Sequence, residues 1–342
     1  MQRRPLKRGS RASMVAQGRG GGMADGNMQV RVKRISYEAE NINSYELVTL
    51  AGGDLAPFTA GCHIDLHLPN GMIRSYSLLN DQSERNRYVV AVNKDVASRG
   101  GSSFIHETMR VGHILNISHP RNNFALQEDA AHSALIAGGI GITPLLSMIR
   151  RLEALGRSWQ LFYAARTRVA AAFLDELNSL RSGIHSNLHV NFDQEPPGRM
   201  LDLSQIVKDV PSNAHLYCCG PVPMLEAFEA ATAHLPDDHV HVEYFKAKEK
   251  PAAEGGFDVK LARSNQTITV RAGQTILDAL LNAGIAASYA CREGVCGTCE
   301  TQVIEGIPDH RDLFLSKEEQ AASKTMMICC SGSKSPTLVL DI

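Results

Sequence analysis

Cys291-Arg-Glu-Gly-Val-Cys296-Gly-Thr-Cys299, answered after 29 further residues by Cys329, constrains this 342-residue chain more than any other stretch. C-x4-C-x2-C with a distant fourth cysteine is the spacing of plant-type [2Fe–2S] sites, in which four thiolates surround two irons. Three ligands then come from one tight loop, and Gly294 and Gly297 let that loop turn its N–H groups toward the sulfurs. A zinc knuckle is the alternative for Cys296-x2-Cys299 alone, but zinc wants a second C-x2-C pair, which adjacent Cys329 and Cys330 do not supply. Of that adjacent pair Cys329 fits the spacing, and Cys330 stands one residue long. Five of the eight cysteines lie in the last 52 residues; the other three are Cys62, Cys218 and Cys219. Reduced thiols or metal ligands are expected rather than disulfides.

With 44% hydrophobic and 21% charged residues, the bulk of the chain is of globular type. No apolar run approaches the roughly 18–20 residues that cross a bilayer; Ala134–Ile142 is half that length and glycine-rich. A net charge of −1 hides a basic head: residues 1–27 carry Arg3, Arg4, Lys7, Arg8, Arg11 and Arg19 against Asp25 alone. The remainder is mildly acidic, which argues against nucleic acid as a partner. The head has no apolar core after Arg3-Arg4, so it is not a secretory or twin-arginine signal, and Pro5 and Gly20–Gly22 spoil an amphipathic transit helix. It reads as a disordered extension, with Met23 or Met28 as alternative starts. A soluble, cytoplasmic protein is expected, with no membrane partner.

Hydrophobic patterning divides the rest. From Met28 to about Ala125, short alternating strands (Gln29–Ile35, Tyr45–Leu50, His63–Leu68, Arg74–Leu79, Arg87–Val92, His113–Ile117) and one helix near Ser102–Met109 predict a small antiparallel barrel. After Gln127, strands at Ala134–Ala137, Trp159–Ala164, Leu188–Phe192, His215–Cys218 and His239–Tyr244 alternate with helices at Pro144–Leu155, Ala171–Leu180, Leu203–Val207 and Met224–Ala233. That alternation predicts a parallel sheet covered on both faces. Lys246–Gly256 reads as a linker. Beyond it, Phe257–Ala262 and Thr267–Arg271 form a hairpin, followed by a helix at Thr275–Ala283 and the cysteine loop. The domains expected are 28–126, 127–247 and 257–342, with a linker at 248–256.

Two further motifs carry chemistry. Gly138-Gly139-Ile140-Gly141-Ile142-Thr143-Pro144 joins a strand to a helix, where glycines let a backbone approach a pyrophosphate and the helix N-terminus offers N–H donors. A glycine turn kept only for tight packing is the bland alternative. Cys219-Gly220-Pro221 repeats the strand-end geometry later in the same unit, and ligands of open α/β sheets bind at such ends. Arg74-Ser75-Tyr76-Ser77-Leu78 on a barrel strand, with Arg99-Gly-Gly101-Ser102-Ser103 at a helix start, makes a phosphate site beside a tyrosine that can lie against a flat ring. Other features are weaker. His239 and His241 share a face and read as structural, as does Trp159; Arg121-Asn122-Asn123-Phe124 suits either linker packing or a ligand contact.

These three motifs, in this order over Met28–Ile342, resemble the ferredoxin–NADP reductase superfamily, and within it the phthalate dioxygenase reductase branch with its vanillate O-demethylase oxidoreductases. The resemblance implies a flavin-binding antiparallel β-barrel, an α/β parallel-sheet NAD domain and an α+β β-grasp ferredoxin domain. It implies FMN, with FAD as alternative, held by Arg74, Ser75 and the Gly101–Ser103 turn, with Tyr76 on the ring, Ser77 near its N5, and Ala91, Val92 and Lys94 lining it. It places Phe245 on the flavin, Glu243 near the nicotinamide and Cys219 where the nicotinamide docks. Gly138, Gly139, Gly141, Ile142, Thr143, Pro144, Arg166 and Gly220 would serve the nucleotide: NADH, with NADPH as alternative because Arg166 and Arg168 could grip a 2′-phosphate. Cys291, Cys296, Cys299 and Cys329 would hold the cluster. The implied activity is an NADH-dependent relay, through Ser77, Cys219 and Glu243 as orienting groups, to a separate Rieske-type terminal oxygenase, with the reductase itself monomeric. A reductase of quinones or haem, and an iron–sulfur redox sensor, are the alternatives.

Overall fold

The structure is a computed structural model describing residues 27–95, 100–180 and 186–342. The basic extension, residues 1–26, and Arg99 lie outside the described residues. The chain forms two compact units that divide at Glu243/Tyr244.

The N-terminal unit begins with β1 (Met28–Ala39), β2 (Ile42–Thr49), β3 (Cys62–His67), β4 (Ile73–Ser77), β5 (Tyr88–Asn93), α1 (Gly101–Thr108), β6 (Ile114–Ile117) and the two-residue β7 (Arg121–Asn122). The order β4-β3-β6-β1-β2-β5 is antiparallel throughout, and a Leu78–Val90 bridge joins its two edges into the expected barrel. Alternation drives Val30, Val32, Leu47, Ile64, Leu66 and Val90 inward. Sequence reading stops the first strand at Ile35; the pairing runs on to Ala39 because Asn41, at φ 62°, turns the chain straight back into β2.

The nucleotide-type half continues with β8 (His132–Gly138), α2 (Ile142–Ala154), β9 (Ser158–Ala165), α3 (Leu174–Leu180), β10 (Ser186–Phe192), α4 (Leu203–Asp209), β11 (His215–Cys219), α5 (Val222–Thr232) and β12 (Val240–Glu243). Its parallel sheet has the order β10-β9-β8-β11-β12, so the direction of winding reverses between β8 and β11. Two helices start elsewhere than expected. α2 opens at Ile142, two residues before Pro144, because the first-turn N–H groups have no intrahelical partner and proline costs little anywhere in that turn. Arg168–Ala170 is a 3-10 turn, and α3 starts only after Phe173, which is held at φ 62°.

Barrel and nucleotide half share one core. Ala60, Leu79, Val89, Ala91 and Phe124 of the barrel cluster with Leu135, Ile142, Leu145, Trp159 and Tyr217 of the other half. That shared burial is why they form one unit where two domains were expected. Phe124 meets Tyr217 edge-on, and Asn122 donates to the Ala60 carbonyl at 2.9 Å, so the Arg121–Phe124 segment is joint packing.

The C-terminal unit holds β13 (Phe257–Leu261), β14 (Thr267–Val270), α6 (Ile276–Asn282), β15 (Glu300–Glu305), β16 (Pro308–Asp309), α7 (Lys317–Ala322), β17 (Thr325–Met327), β18 (Gly332–Ser333) and β19 (Thr337–Leu340). Its sheet, β14-β13-β19-β15-β17, is mixed: β13 and β19 run parallel while the other neighbours are antiparallel. α6 starts in a capping box between Thr275 and Asp278 and lays Ile276, Leu277, Ala279 and Leu280 on the sheet. The expected linker is not free here. Ala252 N–H donates to the Cys330 carbonyl at 2.7 Å, Gly273 N–H to Ala253, and Gly256 N–H to Val270.

On the nucleotide sheet, His215 stacks on His239 with ring centroids 4.5 Å apart, and His241 lies flat against Tyr217 at 4.4 Å. His215 Nδ1 and His241 Nε2 are hydrogen-bonded at 3.1 Å. Burial, reinforced by the two neighbouring imidazoles, holds His241 down to about 4. The unfolded chain takes up this proton near 6.5, so between those values the unfolded state binds more protons and stability falls as pH falls. His241 alone should remove about 3 kcal/mol between neutrality and pH 4. Urea midpoints measured across that range should show the slope, and His241→Gln should flatten it.

Candidate functional site

Ser77, at the end of β4, is buried, and its hydroxyl has no hydrogen-bond partner among the described residues. Such an orphan needs an occupant that pairs with it. Three residues back, Arg74 donates to the Ile73 carbonyl at 2.8 Å and packs against α1 so closely that a Cβ on Gly101 would lie 2.4 Å from its Nε. Gly100 caps α1 in the left-handed region with no side chain, and the first turn of α1 packs beside the Arg74 guanidinium, an arrangement that suits a phosphate. Tyr76 is half-buried against the barrel core. Arg74, Gly101, Tyr76 and Ser77 therefore fit a flavin mononucleotide.

Three other residues assigned to the flavin are engaged elsewhere. Ser75 donates to Asp65 at 2.6 Å, Ser102 Oγ accepts from the Asp95 N–H at 3.2 Å, and Lys94 pairs with Glu107 at 2.9 Å. Ala91 and Val92 are buried on β5. Sequence reasoning missed the group behind β4. Asp65, 2% exposed, binds Ser75 on one oxygen and Arg121 on the other at 2.6 Å. Beside it His63 is held down to about 4, by burial first and by Arg121 second. Period-two alternation with inward-facing Ile64 and Leu66 puts Asp65 on the opposite face of β3, so the sequence pattern carried no signal for its burial.

The nucleotide turn sits at the winding reversal. Gly138 ends β8 with Gly141 three residues on, Cys219 ends β11 with Gly220 next, and the two turns touch. A Cβ on Gly141 would lie 2.1 Å from the Cys219 carbonyl, and one on Gly138 would lie 2.6 Å from Pro221 and 3.2 Å from Gly220. Two of the three glycines thus serve loop-on-loop packing, while Gly139, at φ 53° with open space around it, keeps a backbone face clear. Ile142 and Pro144 are buried in the first turn of α2, and the Thr143 hydroxyl is turned back onto the Ile140 carbonyl at 3.0 Å. Gly141→Ala should therefore cost about 1–3 kcal/mol by overpacking against backbone and weaken nucleotide binding, whereas Gly139→Ala should cost about 1–2 kcal/mol through its positive φ alone and leave the loop packing intact. Gly139→Ala meets no atom and carries only that strain, so a nucleotide titration beside thermal melts of both variants would check the difference.

Cys219 pairs in register with Glu243 across β11 and β12, and its thiol lies 3.9 Å from the Glu243 carboxylate. Burial, and then that carboxylate, push the thiol far up, so Cys219 stays protonated. Arg166 is exposed after β9; Arg168 stacks over Phe192 at 4.8 Å with its N–H on Glu195. Phe245 belongs to the C-terminal unit, where it is 37% exposed.

In that unit the four spaced cysteines are all buried. Cys291 is in thiol contact with both Cys296 and Cys329 and accepts the Glu293 N–H at 3.3 Å. Hydrogen bonding to Cys291, with burial, pushes Cys296 well up, so without a metal its thiol holds its proton. Gly294 and Gly297 both have positive φ, and neither has room for a Cβ: the first would meet Cys330 Sγ at 2.5 Å, the second the Phe314 ring at 2.2 Å. The Cys291 contacts with Cys296 and Cys329, the N–H aimed at sulfur and the glycine-tight loop fit a [2Fe–2S] cluster.

Comparison with known proteins agrees. Residues 259–333 match the 2Fe-2S iron-sulfur cluster binding domain, and residues 135–230 the oxidoreductase NAD-binding domain. The solved structure of phthalate dioxygenase reductase, described as a modular structure for electron transfer from pyridine nucleotides to [2Fe-2S], superposes with a TM-score of 0.73 and 38% identity, over 93% of this chain and 98% of that one. The chain belongs to the phthalate dioxygenase reductase family. Among its relatives, phenoxybenzoate dioxygenase subunit beta of Ectopseudomonas oleovorans is 55% identical, covering 92% of this chain and 97% of that protein. Tetrachlorobenzoquinone reductase of Sphingobium chlorophenolicum is 51% identical over 92% of this chain and 98% of its own. This reductase is accordingly an NAD-type oxidoreductase with a ferredoxin domain. Among its described residues no helix is long and apolar enough to cross a membrane.

Proposed function

We propose that this reductase carries electrons from NADH through FMN and its own [2Fe–2S] cluster to a separate Rieske-type oxygenase that attacks an aromatic or related substrate. The observation that carries the reading is the cysteine nest: Cys291 facing Cys296 and Cys329, on the same chain as the orphaned Ser77 hydroxyl. When bound, flavin and cluster convert a two-electron hydride into single electrons. The chain's own residues position. Arg74 and the α1 N-terminus hold the phosphate, Tyr76 lies against the ring, and Ser77 donates to its edge. The turns after β8 and β11 hold the pyrophosphate, with Glu243 and the protonated Cys219 beside the nicotinamide.

Glu195, bonded to the Arg168 N–H beyond the end of β9, favours a free ribose hydroxyl over a 2′-phosphate and so NADH. The working division is barrel 28–126, nucleotide half from 127 and ferredoxin unit to 342, acting as a cytoplasmic monomer among reduced thiols and NADH. An anaerobic visible titration tests the reading: NADH should bleach flavin and iron–sulfur bands together, and NADPH should do so poorly. Flavin bleaching alone would overturn the relay.

A quinone acceptor is the second reading, favoured by the 51% identity to tetrachlorobenzoquinone reductase. A cluster-free variant that kept full quinone reduction would support it.

A further inference from the structure

Helix α2 touches both halves of the proposed reaction. Its N-terminus follows the Gly138–Gly141 turn, and about 12 Å further along, at 1.5 Å per residue, it reaches the strand end that carries Ser77. There Ser147 Oγ donates to the Asn80 carbonyl at 3.1 Å, and Arg150 donates through Nη1 to the Leu79 carbonyl. Leu79 and Asn80 are the second and third residues past Ser77. The guanidinium is aimed by Glu176, whose Oε1 takes both Nε, at 2.9 Å, and Nη2. Behind it Glu38 accepts the Ser44 hydroxyl and faces both Arg150 and Glu176. Leu79 and Asn80 are themselves fixed to the barrel: Leu79 N–H donates to the Val89 carbonyl at 3.0 Å, and Asn80 Oδ1 accepts from the Val89 N–H at 2.9 Å.

A rigid helix with one end on the nucleotide turn and two donors on the flavin strand behaves as a ruler. We propose that Arg150, assisted by Ser147 and aimed by Glu176, is a positioning residue that sets the distance between the nicotinamide and the flavin edge at Ser77. The inference rests on NADH and FMN occupying the sites assigned above. A misplacement of about 1 Å at a hydride-transfer site can cost on the order of a hundredfold in rate, while the binding of each partner, made elsewhere, changes little. Arg150 lines a polar cavity of about 230 Å³ rather than the apolar core, so its removal does not open a void among packed aliphatic groups.

Arg150→Ala and Arg150→Lys in the full-length protein test this. Arg150→Ala should bind FMN within about twofold of wild type, read by fluorescence quenching as apoprotein is titrated, and half-saturate with NADH within about threefold. At saturating NADH its flavin should reduce at least about tenfold more slowly in anaerobic stopped flow. The long-wavelength charge-transfer absorbance formed when NAD+ meets the dithionite-reduced protein should weaken in parallel. Arg150→Lys should recover part of the rate, because one ammonium can reach Leu79 or Glu176 but not span both. Should Arg150→Ala fail to fold, Ser147→Ala and Glu176→Gln carry the same test with smaller effects. Unchanged reduction rate and absorbance in the folded variants would overturn the ruler, as would a parallel loss of FMN affinity, which would make Arg150 part of the flavin fold. Wild-type protein that NADH does not reduce would instead overturn the assignment of the two sites.

Discussion

Cys329→Ser should abolish the iron–sulfur absorbance and take the iron from about two atoms per chain to near zero, while Cys330→Ser should leave both in place. The two thiols are chain neighbours and both buried, yet their surroundings differ. Cys329 is the one in thiol contact with Cys291. Cys330 turns its sulfur toward the Gly294 backbone and lies 3.8 Å from the Met327 carbonyl, a place that a hydroxyl of similar size can take. Iron analysis together with the electron paramagnetic resonance spectrum of the reduced protein would distinguish them. A Cys329→Ser protein that kept a normal two-iron signal would reassign the ligand.

Ser77→Ala should slow flavin reduction by NADH by about 10- to 100-fold and leave the fold untouched or slightly firmer. The asymmetry follows from the orphaned hydroxyl. Removing a buried donor with no partner among the described residues breaks no bond among them and relieves an unsatisfied group. Whatever the hydroxyl contributes is therefore paid out in the flavin complex. Stopped-flow reduction and a thermal melt of the apoprotein separate the two effects. A variant with wild-type reduction would remove Ser77 from the reaction, and one whose apoprotein melted well below wild type would place the hydroxyl in the fold.

Legibility followed the range of the interactions. The cysteine loop could be read because its ligands must be close in sequence to wrap one side of a cluster, and Gly294 and Gly297 announce the positive φ that the loop adopts. The parallel sheet was legible from strands alternating with helices, and its turns from glycines at strand ends. What could not be read was long-range. Arg150 looks like any charged residue on an amphipathic helix, and its partner Leu79 lies 71 residues away. Asp65 and Arg121 are 56 residues apart. The fusion of barrel and nucleotide half into one unit depends on Ala60, Leu79 and Phe124, apolar residues whose pattern says that they are buried but not against what. The charged Lys246–Gly256 run, with its proline and glycines, has the composition of a spacer, but it is attached through backbone groups, which composition does not encode.

That attachment defines where this electron-exit module can be cut and grafted. A fragment begun at Phe257, where the first strand starts, would discard the strap that satisfies the Cys330 carbonyl and packs Ala252 against Gly332, next to the fourth ligand. A fragment begun at Tyr244 takes the strap along. The portable piece is therefore longer than its sheet, and a chimera joined at residue 257 would inherit a cluster pocket with one wall missing.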